Sequence, residues 1–122
     1  MAKVMVVDDS AYARRVHCAM LERAGHSVIE ASTGSGAIES FCHDRPDVVL
    51  LDLSMEDIGG LDVLKTMREI DPAAQIVVIS ADVQRTTEAS VMAAGARRFL
   101  GKPANEATLV GVIAELGGAG NP

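Results

Sequence analysis

Three short apolar runs constrain this chain more than any other feature, because each of them ends in a charged group. Val4-Met5-Val6-Val7 is followed by Asp8-Asp9, Val48-Val49-Leu50-Leu51 by Asp52, and Phe99-Leu100-Gly101 by Lys102-Pro103. An aliphatic run without polar alternation is the pattern of a strand covered on both faces, as in a parallel sheet. Ligands of such sheets gather outside the carboxyl ends of the strands. The charges therefore fall on the edge where a site would form.

The segments between these runs carry helical signals. Ser10 can cap a helix over about 11–24, with Ala13, Val16 and Met20 on one face and Gly25 at its end. A short strand over about 27–31 leads through Ser32-Thr33-Gly34-Ser35 to a helix over about 36–44, which Arg45-Pro46 stops. A helix over about 60–70 presents Leu61, Leu64, Met67 and Ile70 and closes at Asp71-Pro72. The strand Ile76-Val77-Val78-Ile79 then ends at Ser80. The segment Asp82–Ala94, with Ala89, Met92 and Ala93 as its apolar side, is a weaker helix because Thr86 and Thr87 lower propensity. A last helix over about 104–116 shows Leu109, Val112, Ile113 and Leu116 at helical spacing.

Strict alternation of five strands and five helices predicts right-handed crossovers and an α/β fold with a doubly wound five-stranded parallel sheet. At 122 residues there is room for one domain, expected over 1–116, with the Gly-rich residues 117–122 as a flexible tail. Hydrophobic residues make up 48% of the chain, yet Tyr12, Phe41 and Phe99 are its aromatics, so the core is aliphatic. Seventeen acidic against eleven basic side chains give a formal charge of −6, which repels phosphate backbones and argues against nucleic-acid binding. No apolar run approaches the roughly 20 residues that span a bilayer, and the first residues run straight into a strand. The reading is of a cytoplasmic protein that binds no membrane, with Cys18 and Cys42 reduced.

If the strands ending at residues 7 and 51 are neighbours, Asp8, Asp9 and Asp52 converge. Two like charges about 4 Å apart repel by up to about 4 kcal/mol at an effective dielectric of 20. With no Cys/His cluster in the chain, a hard cation such as Mg²⁺ fits these oxygens better than Zn²⁺. Lys102 supplies a second positive charge. A carboxylate nucleophile, a metal and an ammonium are the parts of a phosphoryl-transfer site. Asp52 is the best nucleophile, since it stands alone while Asp8 and Asp9 are adjacent and can share the metal. Singly, Asp9 or Ser10 is an ordinary helix cap and Ser80 a turn hydroxyl; their joint occurrence at strand ends is what favours a site.

Asp8-Asp9, Asp52, Ser80-Ala81 and Lys102-Pro103 together resemble the signature positions of response-regulator receiver domains, and the likeness covers Val4 to Leu116. It is strongest to the stand-alone chemotaxis-regulator type. The resemblance implies the flavodoxin-like (βα)5 receiver fold with strand order 2-1-3-4-5, and a two-component switch that accepts a phosphoryl group on Asp52. Asp9 and Asp52 would bind Mg²⁺ directly, Asp8 through water, and the backbone carbonyl of Ser54 would complete the ligands. Ser80 and Lys102 would contact the phosphoryl oxygens, with Ser80 and Phe99 as switch residues and Pro103 following a cis bond. The donor would be a histidine kinase or histidine phosphotransfer protein, and the output a change in the face formed by the fourth helix, fifth strand and fifth helix that is read by another protein. The protein is expected to be a monomer that catalyses its own phosphorylation and dephosphorylation and is not otherwise an enzyme. A phosphorelay intermediate or phosphate sink fits the same residues. A flavodoxin-like electron carrier shares the layers, but Asp8-Asp9 would repel a flavin phosphate.

Two departures stand out. The family often has Met-Pro after the phosphoacceptor and a polar residue before the loop glycine, where this chain has Met55-Glu56-Asp57-Ile58-Gly59-Gly60. The expectation is a freer, more acidic loop in which Glu56 and the glycines alter metal affinity or phosphoryl lifetime. Ala104 stands where Phe is common, leaving less packing at the start of the last helix.

Overall fold

The computed structural model describes residues 1–118. Its elements are β1 (Lys3–Val7), α1 (Ala11–Arg23), β2 (Ser27–Ala31), α2 (Gly34–Asp44), β3 (Val48–Asp52), α3 (Gly60–Ile70), β4 (Ile76–Ser80), α4 (Arg85–Ala93), β5 (Arg98–Gly101) and α5 (Glu106–Gly118). The sheet is parallel in the order β2-β1-β3-β4-β5. The direction of winding reverses between β1 and β3, which makes that crevice the switch point where ligands of open α/β sheets bind.

The apolar runs work as two-sided strands. Met5, Val7, Val49, Leu51, Ile76 and Val78 face a core built with Ala37 and Phe41 of α2, Val63, Leu64 and Met67 of α3 and Val91 of α4. The alternate residues Val4, Val6, Val48, Leu50, Val77 and Ile79 face the other core, with Cys18 and Leu21 of α1 and Leu109, Ile113 and Leu116 of α5. Period-two alternation of side chains thus supplies both faces from one uninterrupted apolar sequence. Each fully buried Leu, Leu50 or Leu64 for instance, contributes about 1.5–3 kcal/mol through removal from water.

Several helix faces differ from the periodicity reading. On α1 the buried residues are His17, Cys18 and Leu21, while Ala13, Val16 and Met20 are half-exposed. A histidine occupies an inward position that hydropathy assigns to an apolar residue. On α3 the inward face takes Val63 rather than Ile70, which is exposed. On α4 Val91 alone is buried, and Ala89, Met92 and Ala93 lie on the solvent side. The glycines at the C-terminus also depart from the expected tail: α5 runs through Gly118, and Gly117 is buried against Ala2, where a Cβ would sit 2.6 Å from that of Ala2. Residues 119–122 of the expected tail lie outside the described residues. Cys18 is buried and Cys42 exposed, and both are free thiols.

Candidate functional site

Register places the site. Val7 pairs with Leu51, so Asp8 and Asp52 leave adjacent strands side by side. Asp52 pairs with Ile79, and Ser80 with Gly101, which brings Ser80 and Lys102 to the same edge. Ser10 caps α1 by accepting from the Ala13 N–H at 3.2 Å, and its own N–H donates to Asp8 Oδ1 at 2.9 Å. The turn that starts α1 therefore also orients the Asp8 carboxylate.

Carboxylate oxygens of Asp8, Asp9 and Asp52 lie within 4.8 Å of one another. Asp8 and Asp52 are 1% and 2% exposed, whereas Asp9 faces solvent. Lys102 Nζ donates to Asp8 Oδ2 at 2.8 Å and stands 3.4 Å from Asp52 Oδ1. The Lys102-Pro103 bond is cis. Burial pushes the Asp52 carboxyl above its ordinary pKa and Asp8 adds to this, against the opposing influence of Lys102 and of the Ser54 backbone N–H. Burial pulls the Lys102 ammonium down, but its hydrogen bond to Asp8 and the charge of Asp52 outweigh burial and raise it. The buried Asp8 and Asp52 share one ammonium, and with the exposed Asp9 beside them the group carries an excess of negative charge. An all-oxygen donor set open to solvent through Asp9 suits a hard divalent cation that keeps some of its waters.

The remaining predicted residues fall around this group. Ser80 is buried at the end of β4; its Oγ accepts from the Asp82 N–H at 3.0 Å and its carbonyl accepts from the Lys102 N–H at 2.9 Å. Ser54 is exposed in the loop after β3. Phe99 is half-buried on β5 and packs against the core shared by α2, α3 and α4. Pro103 and Lys102 border a cleft of about 270 Å³ with Tyr12, Ala13, Val16 and His17. Glu56 is exposed and outside the carboxylate group.

Three residues have roles that periodicity and motif reading missed. Arg14 is half-buried: its Nη1 donates to the Asp8 carbonyl at 2.8 Å and its Nε to Glu30 at 3.1 Å, bracing the strand end that carries the carboxylates. The available signal was its position one turn beyond the Ser10 cap. Asp57 is bonded to the N-terminus of α2, so the loop expected to be freer is fastened. His17 is 4% exposed beneath the cleft, with Nδ1 lacking a hydrogen-bond partner.

A doubly wound sheet with clustered carboxylates and a lysine at its switch point defines a class of signalling domain, and sequence comparison agrees. The response regulator receiver domain family matches residues 4–114, and the chain belongs to that family. It is 36% identical to the chemotaxis protein CheY of Thermotoga maritima over 102 residues, 83% of this chain and 85% of that one. It is 31% identical to the protein PilH of Pseudomonas aeruginosa over 115 residues, 93% and 95% of the two chains. Among solved structures, Vibrio cholerae CheY4 superposes with a TM-score of 0.89 at 29% identity, covering 95% of this chain and 98% of that one. The CheY of a Borrelia burgdorferi CheX-CheY-BeF3-Mg complex superposes with a TM-score of 0.88 at 25% identity, covering 93% and 87%. Among the described residues, no helix is long and apolar enough to cross a membrane.

Proposed function

We propose that the chain is a Mg²⁺-dependent phosphoacceptor of a two-component system, modified on Asp52 and read by another protein. The observation that carries this is the convergence of Asp8, Asp9 and Asp52 at the β1/β3 switch point, with Lys102 against Asp8 and Asp52. Asp9 and Asp52, with the Ser54 carbonyl, would hold Mg²⁺ directly and Asp8 through water. When bound, the ion supplies charge neutralisation for the carboxylates and the incoming phosphoryl oxygens.

The protein's own groups do the rest. An Asp52 oxygen attacks phosphorus in line, forming an acyl phosphate while the bond to the donor breaks and the donor atom keeps the electron pair. Burial of Asp52 lowers competition from water at the reacting atom. Lys102 and Ser80, both at the strand-end edge that carries Asp52, would bind phosphoryl oxygens. The added charge of about −1.5 to −2 then biases Ser80 and Phe99 and the surface of α4, β5 and α5.

The donor would be a histidine kinase or histidine phosphotransfer protein in the cytoplasm, and the receiver of the signal a protein rather than nucleic acid or membrane. The complex of a relative with CheX and the likeness to stand-alone CheY and PilH support this reading. The domain would act as a monomer and would catalyse only the gain and loss of its own phosphoryl group.

Intact mass after incubation with acetyl phosphate tests the proposal. A gain of about 80 Da that needs Mg²⁺ and is absent in Asp52→Asn is the expected result. The same gain in Asp52→Asn, or a gain indifferent to chelation, would overturn it.

A further inference from the structure

The loop between β3 and α3, residues 53–59, carries Ser54 and is pinned at both ends. At its base the Gly60 N–H donates to the Leu53 carbonyl at 3.1 Å. At its tip the Asp57 carboxylate accepts from the Gly34 N–H at 2.8 Å, the Ser35 N–H at 3.0 Å and the Ser35 hydroxyl at 2.9 Å. Gly34 and Ser35 are the first residues of α2, whose free N–H groups and positive dipole end favour a carboxylate. The Ser35 and Gly34 amides, with that of Ile58, accordingly hold Asp57 well below the usual carboxylate range.

Packing enforces the same contact. A Cβ at Gly34 would meet Ile58 Cβ at 2.8 Å and the Ile58 carbonyl at 3.0 Å, so the helix start is pressed against the residue after Asp57. The helix also has a cap of its own, since Thr33 accepts from the Gly36 N–H at 3.0 Å, while Asp57 takes the Gly34 and Ser35 N–H groups from across the loop. Two bonds at one helix end thus differ in what they hold: Thr33 holds the helix, Asp57 holds the helix to the loop.

We propose that Asp57 is a positioning residue for the acidic site, its carboxylate fastening the loop that follows Asp52 to the N-terminus of α2 and holding the Ser54 segment where cation binding needs it. This rests on the reading of Asp8, Asp9, Asp52 and the Ser54 carbonyl as a Mg²⁺ site. It also couples α2 to that site, since movement of the helix start must drag or release the loop.

The experiment compares Asp57→Ala, Asp57→Asn and Thr33→Ala by Mg²⁺ calorimetry, thermal melting, and amide hydrogen exchange of residues 53–59 in metal-free protein. Asp57→Ala is expected to weaken Mg²⁺ binding roughly tenfold, the size typical of lost outer support at a metal site, and to speed exchange in the loop. Asp57→Asn, which keeps an acceptor oxygen, recovers part of both. Thr33→Ala lowers the melting temperature but leaves Mg²⁺ affinity within about twofold of wild type. Asp57→Ala with unchanged Mg²⁺ affinity and unchanged loop exchange, or Thr33→Ala weakening Mg²⁺ as much as Asp57→Ala, overturns the proposal. Failure of the wild type to bind Mg²⁺ would instead remove the metal reading, and loop exchange in the metal-free variants would then decide whether Asp57 holds the loop.

Discussion

The Lys102 ammonium is bonded to Asp8 at 2.8 Å, closer than its 3.4 Å approach to Asp52, although Asp52 is the residue proposed to react. In the metal-free protein the lysine is therefore held mainly by the carboxylate that would not take the phosphoryl group. It acts as an internal counter-ion for carboxylates that outnumber it.

Lys102→Met tests that role. Removing one member of a fully buried ion pair costs about 3–5 kcal/mol. Lys102 keeps 21% of its side-chain exposure, so a loss of roughly 2 kcal/mol is expected in urea denaturation with EDTA. Mg²⁺ should then stabilise Lys102→Met more than wild type, because the carboxylates have lost a competing cation. An equal or smaller Mg²⁺ effect in the variant would show that Lys102 is not the charge the metal-free crevice relies on.

Asp52→Asn should stabilise the metal-free protein at neutral pH. Because burial raises the folded-state pKa of Asp52 above 3.8, the native state binds a proton more readily than the unfolded chain. Stability is therefore lost as pH rises from 3.8 through the raised value, and the penalty is full above it. The variant is expected to be more stable than wild type at pH 7.5 in EDTA, and the gain should fade to nothing below pH 3.8. Denaturant midpoints across that range check the prediction; a gain that persists in acid would assign it to packing instead of charge.

The parts of the fold legible in the sequence are those fixed by short-range pattern. The runs at Val4–Val7, Val48–Leu51 and Ile76–Ile79 fit a two-sided strand, and the aspartates that follow the first two mark the carboxyl edge. The faces of α1 and α4 were not legible, because both helices carry apolar residues on more than one side and the sheet selects among them. Selection of His17 over Ala13, and of Val91 over Met92, depends on what lies opposite. Asp57 was hidden for another reason: its partners are 22 and 23 positions away, and an exposed carboxylate carries no pattern of its own. Composition alone points Gly117 toward a tail, whereas its missing side chain is what lets α5 approach Ala2.

The adjacent glycines at the start of α3, Gly59 as its cap and Gly60 as its first residue, are predicted to respond in opposite ways. A Cβ at Gly60 would lie 2.5 Å from Leu53 Cα and 2.7 Å from the Asp52 carbonyl, backbone atoms that have no rotamer to yield. Gly60→Ala is expected to cost about 3 kcal/mol and to weaken Mg²⁺ binding, since the displaced segment carries Asp52 itself. Around Gly59 nothing lies within 4 Å, and its φ of −59° suits any residue. Gly59→Ala should stay within about 1 kcal/mol of wild type, the loss reflecting a poorer helix cap. Similar effects of the two substitutions would contradict the packing of the loop base.

His17 gives the last prediction, because its burial has no visible compensation. Its Nδ1 has no hydrogen-bond partner, and an unsatisfied buried polar atom costs about 1–3 kcal/mol. Burial lowers its pKa, with Lys102 acting in the same direction and Asp8 opposing, so the native state favours the neutral ring. A histidine whose folded pKa lies below 6.5 keeps full stability above that pH and loses it as pH falls toward the folded value. His17→Leu removes both the orphaned nitrogen and the proton linkage. It should stabilise the protein by about 1 kcal/mol at pH 7.5, and by more at pH 5.5, where wild type has begun to bind the proton in its unfolded state. Equal gains at the two pH values would mean that only the lost hydrogen bond matters. A loss at pH 7.5 would mean that the ring is held by a partner, such as an ordered water in the cleft beside Lys102.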